Sequence, residues 1–173
     1  MIRQEIEKLE YLSATMPGLL RQIDEQSFSY KPAENIQSKK EIIGHLIDCA
    51  TNNHQSLASC QHHHGLPIFY DLHNWNKFGY YRHCSQPQII ALWERSNLQL
   101  LEIIRSLQEV DLKRKYLVGA KSLTVRSLIR KYIKDLEAQL ADVLASGLAT
   151  EPGILTSPLN LVRKSEMMMA VKA

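Results

Sequence analysis

The sequence predicts an all-α protein: an antiparallel four-helix bundle forming one domain. Three observations predict it. Four long segments carry apolar residues at threes and fours, no segment has a convincing strand pattern, and 173 residues suit a single buried core. No internal repeat is visible. The bundle is expected over residues 1–147, followed by a tail, 148–173, that forms at most a short helix near residues 160–170.

In the first helical segment Ile2, Ile6, Leu9, Met16, Leu19, Leu20 and Ile23 share a face, and Pro17 predicts a break or kink. The connection that follows, DEQSFSYKPAENIQ, has turn chemistry and no period. The second helix opens with Ser38-Lys39-Lys40-Glu41, a capping box in which hydroxyl and carboxylate each satisfy a backbone amide. Ile42, Leu46, Cys49, Ala50, Asn53 and Leu57 then lie on one face, to about Cys60. A long loop is expected from Gln61 to Gln86. Its Phe69, Tyr70, Trp75, Phe78, Tyr80 and Tyr81 argue for packing, with Trp75 and Tyr80 available to wall a pocket.

Pro87 suits the first turn of the third helix, whose stripe is read as Ile90, Leu92, Trp93, Leu98, Leu101, Ile104 and Leu107. The fourth helix is expected to start after Thr124 as N-cap and run to Ala145, with Gly147 just beyond its end. Its core face is Leu128, Ile129, Tyr132, Leu136, Leu140 and Val143. After Gly147 two prolines and a glycine weaken the periodicity.

Composition narrows the function. The apolar content is 45% and the charged content 23%, ordinary for a globular protein. The longest apolar runs are a few residues, so no membrane helix is expected. The start, MIRQEIEKLEYL, lacks the apolar core of a secretion signal. The net charge of +3 is spread along the chain, with only Lys113–Lys115 and Arg126, Arg130 and Lys131 approaching a patch, so no nucleic-acid partner is expected. Cys49, Cys60 and Cys84 lack metal-type spacing. Cys49 and Cys60 stand about 16 Å apart along one helix, beyond disulfide reach. Free thiols and no signal point to the cytoplasm.

All seven histidines precede residue 84, so a metal site bridging the second and fourth helices cannot be all-histidine. The run His62-His63-His64 reads as a solvated helix end that binds metal at most adventitiously, because adjacent residues point apart. His45 lies at the edge of the apolar face, beside Asp48 and one turn before Cys49. Alone, it reads as a half-buried histidine with one hydrogen bond. Asp135 and Gln139, at i and i+4, project to the rim of the fourth helix's core face, where bundle sites are built. Alone, they read as a surface pair. Cys49 beside His45 has the arrangement of an activated nucleophile, although a buried inert thiol is the ordinary finding.

SKKEIIGHLIDCATNN resembles the second-helix motif of the DinB/YfiT-like superfamily through Ser38, Glu41, His45, Leu46 and Asp48, with Gln37 in place of that motif's tryptophan. FYDLHNWNKFGYY is similar to an aromatic loop of that family through Tyr70, Asp71, Trp75 and Tyr80. LWERSNLQLLEII is similar to its third helix around Trp93 and Asn97, and TVRSLIRKYIKDLEAQL to its last helix. The resemblance implies a four-helix bundle, often a homodimer. It also implies a divalent metal (nickel, zinc, manganese or iron) held by one histidine of the second helix and two of the last. The activity implied is metal-dependent hydrolysis or thiol transfer. His45 matches the first ligand position, but the other two fall on Asp135 and Gln139. A carboxylate can ligate, whereas a neutral amide suits harder ions. His45, Asp135 and Gln139 are therefore the candidate metal residues of a degenerate site, with a His45–Asp135 hydrogen bond and a charged histidine as the alternative to metal. Two functions compete: a bundle that binds an unidentified small molecule with weak or no metal, and a metal-dependent hydrolase or thiol S-transferase with an altered ligand set. No catalytic residue is assigned.

Overall fold

A computed structural model describes residues 2–33, 36–62, 80–118 and 121–145. The first helix, α1, spans Arg3–Leu20 and runs unbroken through Pro17. The expected break is absent because the proline lies in the last turn. Only three helical residues follow it, and Met16, Pro17 and Leu20 are all buried there. The stretch expected to be irregular holds a short helix, α2 (Glu25–Ser29). Asp24 caps it by accepting from the Ser27 amide at 2.8 Å, and Phe28 is fully buried.

Helix α3 spans Lys39–His62. Its capping box is formed, with the Ser38 amide donating to Glu41 Oε2 at 2.8 Å and the Glu41 amide to Ser38 Oγ at 3.1 Å. A 3-10 turn at Tyr80–His83 leads to α4, Gln86–Ser106, with Pro87 in its first turn. Leu92 and Leu98 do not belong to the core stripe of α4; both are more than 40% exposed. Ile89, Asn97 and Leu100 are buried instead, because residues 89, 93, 97, 100, 101 and 104 keep the threes-and-fours spacing and 92 and 98 fall outside it.

The region between the last two long helices corrects the all-helical expectation. Helix α5 (Glu109–Lys113) is followed by β1 (Lys115–Val118) and β2 (Lys121–Thr124), paired antiparallel with Tyr116 opposite Leu123. The alternation is legible in hindsight, with Tyr116 in and Leu117 out, but four-residue strands fall below a clear period-two signal. Helix α6, Val125–Ala145, begins after Thr124 as expected. The Ser127 amide donates to Thr124 Oγ1 at 3.2 Å and the Thr124 amide to Ser127 Oγ at 3.0 Å. The aromatic residues Phe69, Tyr70, Trp75 and Phe78, histidines 63, 64 and 73, and the tail from residue 146 lie outside the described residues. No helix among those described is long and apolar enough to cross a membrane.

Ion pairs give the directions of the long helices. Glu5–Arg130 at 2.7 Å and Lys8–Glu137 at 2.7 Å make α1 and α6 parallel. Arg21–Glu94 at 3.7 Å and Glu10–Arg105 at 2.9 Å make α1 and α4 antiparallel. Glu25 joins the starts of α3 and α4 to the end of α1, accepting from Lys40 Nζ at 2.7 Å and from the Gln86 amide at 3.0 Å. At the opposite end Arg114 donates to the Cys60 carbonyl, and the Val125 amide donates to the Arg114 carbonyl. So α3 and α4 run together, opposed to α1 and α6. The antiparallel expectation holds for α1–α4 and α3–α6 only. Around the bundle the order is α1–α4–α3–α6, which leaves α1 diagonal to α3 and α4 diagonal to α6. Parallel neighbours need a long connection, and this is why the chain between α3 and α4 is long.

Tyr81 lies directly against Gly44 of α3. A Cβ at Gly44 would sit 2.3 Å from Tyr81 Cδ2 and 2.6 Å from Cγ, so only glycine admits the ring. Glycine inside a helix costs about 1 kcal/mol relative to alanine, whereas overpacking costs about 1–3 kcal/mol. Gly44→Ala is therefore expected to destabilise the protein in urea denaturation. In a Tyr81→Gly background, which also removes the Tyr81 Cβ 3.0 Å away, the same substitution is expected to stabilise it by about 1 kcal/mol. Equal effects in both backgrounds would contradict the contact.

Candidate functional site

Helices α3 and α6 face each other across a cavity of about 290 Å³, closed on one side by the hairpin. From α3 come His45, Leu46, Cys49 and Asn53, which share one face at i, i+1, i+4 and i+8. From α6 come Leu128, Lys131, Tyr132, Asp135, Leu136 and Gln139, and from the hairpin Tyr116 and Leu123. His45, Asp135 and Gln139 thus line one cavity, although they stand on two helices some 90 residues apart in sequence.

Their partners differ from those expected. His45 Nε2 lies 3.5 Å from Cys49 Sγ, and among the described residues its buried Nδ1 has no hydrogen-bond partner, so the expected His45–Asp135 bond is not formed. Nor is the histidine poised to be charged. Burial pushes the imidazole below its ordinary value, and the nearby Asp48 carboxylate only partly offsets this. Asp135 pairs instead with Lys131, one turn earlier on its own helix. Burial pushes the Cys49 thiol up to about 12, and the negative charges of Asp48 and Asp135 add to the effect. At neutral pH it is a thiol, not a nucleophilic thiolate.

Asp48 points to a different partner. It accepts from the Tyr81 hydroxyl at 2.5 Å, which fastens the turn before α4 to the flank of α3. Burial raises the Asp48 carboxyl, while the Tyr81 bond and, less strongly, the neighbouring His45 ring pull it down; burial raises the Tyr81 hydroxyl as well. Tyr80, expected as a wall of the pocket, is 71% exposed, and Trp75 lies outside the described residues. Tyr132 supplies the floor. Its hydroxyl donates to Asn97 Oδ1 at 2.5 Å, and Asn97 Nδ2 donates to the Trp93 carbonyl at 2.9 Å.

A divalent metal is what the resemblance implies at this cavity, and the donor set does not fit one. Among the described residues no group of three or more histidine, cysteine and acidic side chains is placed to hold an ion. His45 is neutral and competent to ligate. The Asp135 carboxylate, however, is taken by an ammonium, Gln139 offers only an amide oxygen, and Cys49 would have to lose its proton against burial.

Residues that sequence reasoning did not place here are Lys131, Tyr116 and Leu123. The Lys131–Asp135 pair was legible as i and i+4 opposite charges, whereas the hairpin residues depended on strands that were not expected.

No family model matches the chain, and no curated protein matches it. Several solved structures do. YfiT from Bacillus subtilis, a probable metal-dependent hydrolase with an unusual four-helix bundle topology, is 14% identical, with a TM-score of 0.75 over 83% of this chain and 84% of that one. The DinB-like YjoA from Bacillus subtilis is 15% identical, with a TM-score of 0.61 over 89% and 99%. The mycothiol-dependent maleylpyruvate isomerase is 11% identical, with a TM-score of 0.68 over 96% of this chain and 69% of that one. Likeness at this identity speaks for the fold alone. The chain shares its four-helix-bundle fold with YfiT and the DinB-like YjoA.

Proposed function

We propose that the protein is a small-molecule binding bundle whose α3–α6 cavity works without a bound metal. The observation that carries this reading is the engagement of Asp135 by Lys131 at the rim of a cavity of about 290 Å³. The fold is shared with a probable metal-dependent hydrolase and with a mycothiol-dependent isomerase. What this chain keeps is the apolar wall of Leu46, Leu128 and Leu136 with a neutral imidazole. That combination suits a bound organic molecule better than an activated water.

Calorimetric titration of the tag-free protein with zinc or nickel is expected to give no tight stoichiometric binding. Replacing Asp135 and Gln139 together by histidine is expected to tighten zinc binding by about a hundredfold or more, since three imidazoles then converge. A parent protein that holds one ion tightly and loses it in His45→Ala would overturn the reading.

The pH dependence of stability follows from His45. Because its folded-state value is depressed, the unfolded chain takes up the proton first as pH falls. Stability therefore drops as pH falls through about 6.5 and goes on dropping until the folded state's lower value is passed. Urea denaturation at neutral and mildly acidic pH is expected to show this loss in the parent and a smaller one in His45→Gln. Equal losses in the two proteins would exclude His45 as the cause.

A further inference from the structure

Among the described residues that line the α3–α6 cavity the charges cancel; the Asp48 carboxylate, which acts on His45 and Cys49 from outside the lining, accepts from the Tyr81 hydroxyl. Lys131 and Asp135 share an ion pair at the rim, where their side chains are 70% and 47% exposed. Gln139, a further turn along α6, adds an uncharged amide. Deeper in, His45 and Cys49 meet at 3.5 Å, and Leu46, Leu123 and Leu136 supply wall. A carboxylate entering this space would leave water for leucine and find the nearest ammonium already held by Asp135. An incoming ammonium would meet the converse, a carboxylate already held by Lys131. Either ion loses hydration without gaining an unshared counter-charge. A neutral molecule loses little, and a single donor or acceptor on it has the His45–Cys49 pair or the Gln139 amide to meet.

We infer that the cavity selects uncharged, largely apolar small molecules bearing one hydrogen-bonding group, and that the Lys131–Asp135 pair enforces the selection against anions. This rests on the reading of the cavity as a ligand site and goes beyond it by fixing the charge class of the ligand. The size is at the small end of the range for organic ligands.

The test uses matched amide and carboxylate pairs of one shape: phenylacetamide with phenylacetate, indole-3-acetamide with indole-3-acetate, and hexanamide with hexanoate. Their binding to the full chain is measured by calorimetry and ligand-observed NMR near neutral pH. At least one amide is expected to bind about tenfold or more tightly than its carboxylate. Leu123→Trp, which fills the cavity from the hairpin, is expected to abolish that binding; Gln139→Trp at the rim serves if the first variant does not fold. Asp135→Asn frees the Lys131 ammonium and is expected to narrow or reverse the preference by strengthening the carboxylate. Carboxylates binding as well as or better than amides in the parent, with loss in Leu123→Trp, would overturn the charge selection while leaving the binding site standing. An amide preference unchanged in Asp135→Asn would remove the ion pair from the explanation. If no probe binds, or binding is indifferent to both tryptophan variants, the cavity is not a ligand site, and the proposed function fails with the inference.

Discussion

One buried hydrogen bond sets the geometry on which the rest depends. The Tyr132 hydroxyl reaches across the bundle from α6 to Asn97 of α4, its diagonal partner. Asn97 is fully buried and uses its amide nitrogen on the Trp93 carbonyl, so its oxygen has Tyr132 to satisfy it. An unsatisfied buried amide costs about 1–3 kcal/mol. The bond therefore penalises any rotation of α6 that swings Tyr132 away. With that rotation fixed, Asp135 and Gln139 are carried to the rim and Leu136 into the wall.

The electrostatics of the cavity follow from the same placement. Turned toward α3, Asp135 sits at a rim open enough for Lys131 to fold onto it. Exposed pairs of this kind stabilise a fold by well under about 1 kcal/mol. The Lys131 ammonium competes only modestly with an ion for Asp135; the poor fit to a metal comes as much from the neutral Gln139 amide and the protonated Cys49. His45, half-buried across the gap, is held neutral, and Cys49 is held protonated. The charged groups that line the cavity are thus paired with each other at its rim.

The sequence made the helix starts legible because each carries its own short-range chemistry. Ser38 with Glu41, Pro87 in the first turn of α4 and Thr124 before α6 all act within three or four residues. That His45, Asp135 and Gln139 meet was legible only through resemblance to a known motif, since no local signal links helices so distant in the chain. What failed was what depends on distant partners. The hairpin is too short to announce itself, and Tyr116 and Leu123 are positioned by packing against the cavity. Leu92 and Leu98 read as core although they fall outside the period of the buried stripe, and the polar Asn97, which keeps that period, is satisfied there by the distant Tyr132. Asp48 looked like a neighbour for His45. Its strongest partner is Tyr81, which comes from beyond the long connection and fits only because residue 44 has no side chain. Helix direction was legible only in part: the antiparallel reading holds for α1–α4 and α3–α6, but ion pairs such as Glu5–Arg130, which make α1 and α6 parallel, cannot be read from periodicity.

The central claim is that the imidazole at the heart of the cavity is neutral and bound to no ion. Nitrogen-15 NMR of the His45 ring, assigned by comparison with His45→Gln and recorded with and without equimolar zinc, tests it most directly. The account predicts one protonated and one bare ring nitrogen at neutral pH, with both resonances unmoved by the metal. A zinc-dependent shift of the bare nitrogen, or a doubly protonated ring, would contradict it.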